Sequence, residues 1–201
     1  IVAAPGIVNK TTTIDIGMNL LRKIPEINFG PESVTWQALV ERMGQSIQSI
    51  EYPNGESEQN CAITIPIPEF GTFFTTQDTK LTDLLVSLWD GRTGKFERAT
   101  KASGSESVTN PWINMIAGTT PSWLSENFPA YMIGGGFTSR CVFIYGDKKR
   151  QFIAYPRAFK NDGFLKLEED LLEDLLTISA LRGEFEIDAE ARAFGETWYE
   201  S

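Results

Sequence analysis

Ala4-Pro5-Gly6-Ile7-Val8-Asn9-Lys10-Thr11 is the stretch on which the reading of the fold turns. A short apolar run, residues 1–4, leads into it, and Pro5-Gly6 breaks that run. Beyond it Ile14, Met18 and Leu21 recur at helical spacing, with Lys10, Arg22 and Lys23 off that face. The order is strand, turn, helix. A loop that cradles phosphate needs glycines where the backbone curls, amides facing the oxygens, a lysine for the outer phosphates and a hydroxyl for Mg²⁺. Ala4 and Asn9 stand at the two glycine positions. Asn9 is expected to take left-handed backbone geometry, which asparagine tolerates well, and Gly6 adds freedom between the two. Lys10 and Thr11 keep the chemical pair, and Thr12 follows in the same turn. The helix that begins there turns the positive end of its dipole toward an anion. The alternative is an ordinary strand–helix turn.

The 201 residues suffice for a full hydrophobic core, and 41% apolar with 22% charged residues is a globular composition. The net charge of −9 argues against a broad basic surface wrapped by nucleic acid. The chain has no histidine, so a Ser-His-Asp triad, a histidine base and a histidine-bound zinc are excluded within it. Cys61 and Cys141 each open an apolar run that reads as a strand, and buried thiols in a reducing compartment are expected. No apolar stretch approaches the ~20 residues of a membrane span, and no signal peptide is visible. The sequence opens on Ile1 inside a motif. It therefore reads as a domain excised from a longer protein, with sequence missing at both ends.

Further along, Thr35 is placed to cap a helix carrying Trp36, Leu39, Val40, Met43 and Ile47. A polar turn at 53–60 precedes "CAITIPIPEFGTFF", a continuous apolar run of the kind that forms a strand buried on both faces. "TKLTDLLVSLWDG" has helical leucine spacing and stops at Gly91. "GRTGKFERATKASGSESVT" alternates weakly, as a hairpin would, and "PWINMIAGTTP" reads as another buried strand. "GGGFTSRCVFIYGD" is a glycine hinge leading into a strand, and helices are expected over 164–182 and 188–199. Alternating strands and helices predict an α/β fold with a mostly parallel sheet flanked by helices.

Four more candidates carry chemistry. Glu69 ends the run "AITIPIP", where a carboxylate can act on Mg²⁺ or on an attacking water; the alternative is a charge favoured at a helix start. Pro68 takes the place of a metal-side aspartate. Arg140, after the triple glycine, can act as an arginine finger or as a surface ion-pair partner. Thr119 and Thr120 close a strand, as γ-phosphate sensors or, for Thr120 before Pro121, as a helix cap. Arg92, Lys95, Arg98 and Lys101 are spaced by three around Phe96, a local positive stretch able to contact nucleic-acid phosphates, or the solvated face of a hairpin.

The order of these blocks resembles the P-loop ATPase domain, of RecA-like type, of phage and plasmid primase-helicase-type replication proteins. The resemblance rests on "APGIVNKTT", "GPESVTWQALVERM", "IPEFGTFF", "LLVSLWDG", "NPWINMIAGTTPSWL" and "GGGFTSRCVFIY", and covers most of residues 1–146. It implies an ATPase core over 1–160, with a helical segment over 161–201. It implies an ATP-hydrolysing motor in DNA replication or remodelling, cytoplasmic in a bacterial or phage-infected cell. The motor would use ATP and Mg²⁺, act on single-stranded DNA, assemble as a homo-oligomeric ring and involve no membrane. By carry-over, Gly6, Asn9, Lys10, Thr11 and Thr12 hold the nucleotide, with Thr11 on the metal. Glu69 activates water, Thr119 or Thr120 senses phosphate, and Arg140 is the finger. Ala4, Asn9 and Pro68 depart from the pattern. They keep open a catalytically inert relative that serves as an assembly module, and a phage DNA-packaging ATPase is a further alternative.

Overall fold

The computed structural model describes residues 1–4, 6, 8–74, 79–91, 94–100, 104–149, 162–183 and 185–200. Strand β1 (Val2–Ala3) leads to helix α1 (Lys10–Leu21), whose Ile14 and Met18 are buried as their spacing predicts. Thr35 does cap α2 (Trp36–Gly44), accepting a hydrogen bond from the Ala38 amide at 3.3 Å. That helix stops before Ile47, which instead begins β2 (Ile47–Glu51). β2 runs antiparallel to β3 (Ser57–Ile67) around the polar turn, with Ile47 opposite Cys61. The β-branched Ile47 and Ile50 fit a pleated strand better than a further helical turn.

After β3 come the single-turn α3 (Phe70–Phe73) and α4 (Thr79–Asp90), which ends at Gly91 with φ +52°. The basic stretch does form a hairpin, β4 (Lys95–Thr100) with β5 (Gly104–Thr109). β6 (Pro111–Ala117) then runs parallel to β3, Ile63 opposite Ile113 and Ile65 opposite Met115. Helices α5 (Pro121–Asn127) and α6 (Ala130–Gly134), a 3-10 turn (Thr138–Arg140) and β7 (Tyr145–Gly146) follow. α7 (Asp162–Ser179) and α8 (Ala189–Glu200) close the described chain. α7 is tied to the turn after α1 through a Lys23–Glu168 ion pair at 2.6 Å.

The expectation of a mostly parallel sheet with a P-loop, RecA-like core is corrected here. The fold is mixed α/β with three small sheets: the parallel pair β1–β7, the mixed sheet β2–β3–β6 and the antiparallel pair β4–β5. β3 and β6 form the only parallel pair of length among the described strands. β1 and β7 are two residues each, and the polar turn after β2 commits one edge of β3 to an antiparallel partner. The expected strand over 141–146 also shrinks. Arg140 ends a 3-10 turn, and only Tyr145 and Gly146 join a ladder. Single bridges, Val2 to Thr119 and Phe29 to Thr64, tie neighbouring segments to β6 and β3.

The core lies on one face of β3 and β6. Cys61, Ile63, Ile65 and Ile67 pack there with Leu39, Val40 and Met43 of α2 and with Leu81, Leu84, Leu85 and Leu88 of α4. An aromatic cluster seals the end behind Glu69. Phe70 stacks on Phe74 at 4.4 Å between ring centres and meets Trp123 edge-on at 5.2 Å. Gly71 sits against the Trp123 indole, where a Cβ would fall 2.4 Å from its nitrogen.

Candidate phosphate site

Three strand ends converge. The Ala3 amide donates to the Thr119 carbonyl at 3.1 Å, and the Gly118 amide to the Ile67 carbonyl at 2.9 Å. The Phe70 amide returns a bond to the Gly118 carbonyl at 2.8 Å. Gly118 permits the approach: a Cβ there would lie 2.6 Å from the Pro68 carbonyl oxygen. The carboxyl ends of β1, β3 and β6 thus bring Ala4, Glu69 and Thr119 into one neighbourhood.

The loop from β1 to α1 turns at Gly6, whose φ is +72°, a left-handed conformation suited to glycine. Asn9 does not share it. Its φ is −84° and ψ 68°, so the left-handed role expected of it is corrected. Its side chain makes no capping bond to α1 either. The Lys10 amide donates to Val8 at 3.0 Å and the Thr13 amide to Asn9 at 2.9 Å. Among the described residues, the Thr11 and Thr12 amides meet no carbonyl or cap. No acidic residue occupies the first turn of α1. Among the described residues, this helix start has donors to spare and a positive dipole end.

Lys10 points back under the loop. It is buried, 7% exposed, and its ammonium donates to the Ala3 carbonyl at 3.0 Å. An ammonium has three donors and no acceptor. Among the described residues Lys10 has no carboxylate partner. A buried cation without a counter-charge is costly unless an anion arrives to pair with it.

Glu69 is exposed at the start of α3, held by its buried neighbour Phe70. Its backbone carbonyl accepts from the Thr72 amide at 3.0 Å and hydroxyl at 2.8 Å, while its carboxylate makes no capping bond. Thr119 is buried and bridged to β1. The Thr120 hydroxyl accepts from the Trp123 amide at 3.1 Å, the cap of α5.

Arg140 is engaged by the chain itself. Its Nε and one terminal nitrogen both donate to Asp90 Oδ1, at 3.0 and 2.5 Å, at the end of α4. Its other terminal nitrogen donates to the Gly136 carbonyl at 2.7 Å. The guanidinium is thus held within the chain, and Arg140 lines a groove that Val2, Phe70 and Thr119 also line. In the basic stretch, Lys95 pairs with Glu97 at 2.5 Å and Arg98 with Glu106 at 3.0 Å. Arg98 also stacks over the Trp36 ring at 4.4 Å. Arg92 and Lys101 lie outside the described residues. Neighbouring carboxylates therefore compensate much of the positive charge on this hairpin.

Sequence reasoning missed the Ala3 carbonyl and Asp90. A backbone acceptor leaves no residue-type signal, and Asp90 reads only as the end of a helix. Gly118, directly after a strand, was the one legible hint of close packing. No protein-family model and no curated protein matches the sequence. No helix among the described residues is long and apolar enough to cross a membrane.

Proposed function

We propose that the chain binds the phosphates of a nucleoside triphosphate, ATP in the first instance, at the start of α1 and hydrolyses it. One observation carries this reading: the buried Lys10 ammonium, without a carboxylate, beneath a helix start whose Thr11 and Thr12 amides are unengaged among the described residues. The reading rests on this local chemistry and not on the sheet. Lys10 pairs with the outer phosphates, and the amides of the first turn bind their oxygens. Glu69 accepts a proton from the attacking water. Its carboxylate is exposed at the end of β3, and Gly118 links that strand end to the end of β6.

The donor set also fits Mg²⁺. The described residues hold no cluster of three acidic, cysteine or histidine ligands. Mg²⁺ on a nucleotide typically takes only one or two protein oxygens besides phosphate and water. The Thr11 hydroxyl would supply such an oxygen, and the ion would neutralise charge on the phosphates.

Two free cysteines suit a reducing, cytoplasmic setting. A motor role in DNA replication, with a homo-oligomeric ring on single-stranded DNA, extends the proposal on the strength of the sequence resemblance alone. A second reading, phosphate binding without hydrolysis, is favoured by the Glu69 carboxylate, which no capping bond orients. Calorimetric titration with ATP, followed by phosphate release under the same conditions, separates the two. Binding with turnover supports the hydrolase, binding alone supports the inert module, and no binding removes both.

A further inference from the structure

Trp89 of α4 and Trp112 of β6 line one crevice, and both are exposed, by 56% and 64%. Each is put there by the period of its element. The core stripe of α4 runs through Leu81, Leu84, Leu85 and Leu88, so Trp89, one residue on, is turned about 100° off it. On β6 the buried Ile113 faces the core, and alternation puts Trp112 and Asn114 on the opposite face. Single exposed apolar residues are ordinary; two large rings brought to one crevice from separate elements mark a binding surface.

The crevice has a volume of about 430 Å³. That falls within the range of ligand pockets, about 300–1,000 Å³. Its polar groups are Glu58, Asn110 and Asn114. Asn110 sits at the turn into β6 with φ +41°, a left-handed conformation that asparagine tolerates. Its side-chain nitrogen donates to Glu58 Oε1 and to the Gln59 carbonyl, both at 2.9 Å. The Tyr52 hydroxyl donates to Glu58 Oε2 at 2.8 Å. The carboxylate is thus gripped at both oxygens, and each oxygen keeps a lone pair for a further donor. The Asn114 side chain makes no hydrogen bond among the described residues, so its amide is free both to donate and to accept. Among the described residues, no lysine or arginine lines the crevice. Lys95, in the neighbouring depression, pairs with Glu97 at 2.5 Å.

These groups set the chemistry of the ligand. An indole face is electron-rich and attracts a face of weakly positive C–H groups. The fixed carboxylate calls for donors, and the amide for groups that both donate and accept, as hydroxyls do. A phosphate is disfavoured, because Glu58 repels it and no cation here offsets the repulsion. A pyranose ring combines a C–H face with a rim of hydroxyls and carries no charge. A nucleobase also stacks on indole, but single strands bring phosphates and are held by cations along the backbone.

We infer that this crevice binds a neutral sugar, a pyranose laid on Trp112 with Trp89 as the second wall, its hydroxyls bonding Glu58 and Asn114. None of these residues belongs to the phosphate site at α1, so the two sites stand or fall separately.

The test is saturation-transfer NMR on the full chain, with cellobiose, maltose, lactose and N,N′-diacetylchitobiose as probes. Each is used at about 10 mM, enough to detect millimolar affinity. Tryptophan fluorescence supplies the affinities. At least one of these sugars is expected to receive saturation at its ring C–H protons. Its affinity is expected to fall about tenfold or more in Trp112→Ala, in Trp89→Ala and in Asn114→Ala. Trp112→Phe, which keeps an aromatic face, recovers part of the loss. Circular dichroism and melting temperature are expected to match the parent in Asn114→Ala and Trp112→Phe. No transfer to any of the sugars overturns the inference, and so does transfer unchanged in both tryptophan-to-alanine variants. Tighter binding of a thymidine oligonucleotide than of any sugar, lost in Trp112→Ala, overturns it in favour of stacked bases.

Discussion

The Lys10 ammonium donates to the carbonyl oxygen of Ala3, seven residues earlier, at 3.0 Å. This bond folds the lysine under its own loop and holds a buried charge on a neutral acceptor, the one it has among the described residues. Such an arrangement favours binding over stability. Lys10→Met keeps the volume and removes the charge. It is expected to be at least as stable as the parent, with a gain on the order of 1 kcal/mol. Urea unfolding of both proteins checks this. A loss of several kcal/mol would make Lys10 a structural residue.

Glu69→Gln removes basicity and keeps shape. ATP affinity is expected to stay within about twofold, while turnover falls roughly 10²-fold or more. Phosphate release at saturating ATP measures it. Unchanged turnover would reduce Glu69 to a charge at a helix start.

Gly118→Ala places a Cβ 2.6 Å from the Pro68 carbonyl. The contact is with backbone, so β6 must shift away from the Glu69 segment. A destabilisation of about 1–3 kcal/mol is expected, with turnover reduced more than ATP affinity. Denaturant unfolding and steady-state kinetics together test it.

Arg140 and Asp90 are both about one-quarter exposed and share a grip of two nitrogens on one oxygen. Arg140→Ala is expected to cost about 1–3 kcal/mol of stability. Arg140→Lys recovers part of that, because an ammonium cannot reproduce the fork. A double-mutant cycle with Asp90→Ala should return a coupling above about 0.5 kcal/mol. Zero coupling, with turnover lost in Arg140→Lys, would point back to an arginine finger.

Burial pushes the Cys141 thiol above the ordinary cysteine range. The native state therefore keeps its proton to higher pH than the unfolded chain. The unfolded state binds fewer protons as pH passes the ordinary thiol value of about 8.5, so this group's contribution to stability falls as pH rises beyond it. Alkylation by iodoacetamide at pH 8 is expected to be slower for native Cys141 than for the unfolded protein. Equal rates would contradict the burial argument.

Much of the local structure was legible because single residues dictate it. Thr35 and Thr120 announce caps, the leucines of 81–88 announce α4, and Gly91 announces its end. What the sequence hid depends on pairing. Ile47 sits at helical spacing after Met43, yet a strand partner at Cys61 claims it. "CVFIY" reads as a buried strand, but only Tyr145 finds a ladder, opposite Val2. The extent of a parallel sheet is a long-range property, and apolar runs alone do not set it. At the candidate site, Lys10, Thr11 and Glu69 stand out by residue type. The backbone angles of Asn9 and the engagement of Arg140 by Asp90 do not, since each depends on neighbours distant in sequence or on exact loop geometry.

In the proposed reading, an anion of the triphosphate class pairs with Lys10 at the start of α1. Phosphorus NMR of ATP titrated with the chain, with Mg²⁺ present, tests it most directly. Saturable shifts of the β and γ resonances are expected, reduced at least tenfold in affinity by Lys10→Met, while that variant remains folded by circular dichroism. Identical titrations of the parent and Lys10→Met, or no shift with the parent at millimolar protein, would contradict it.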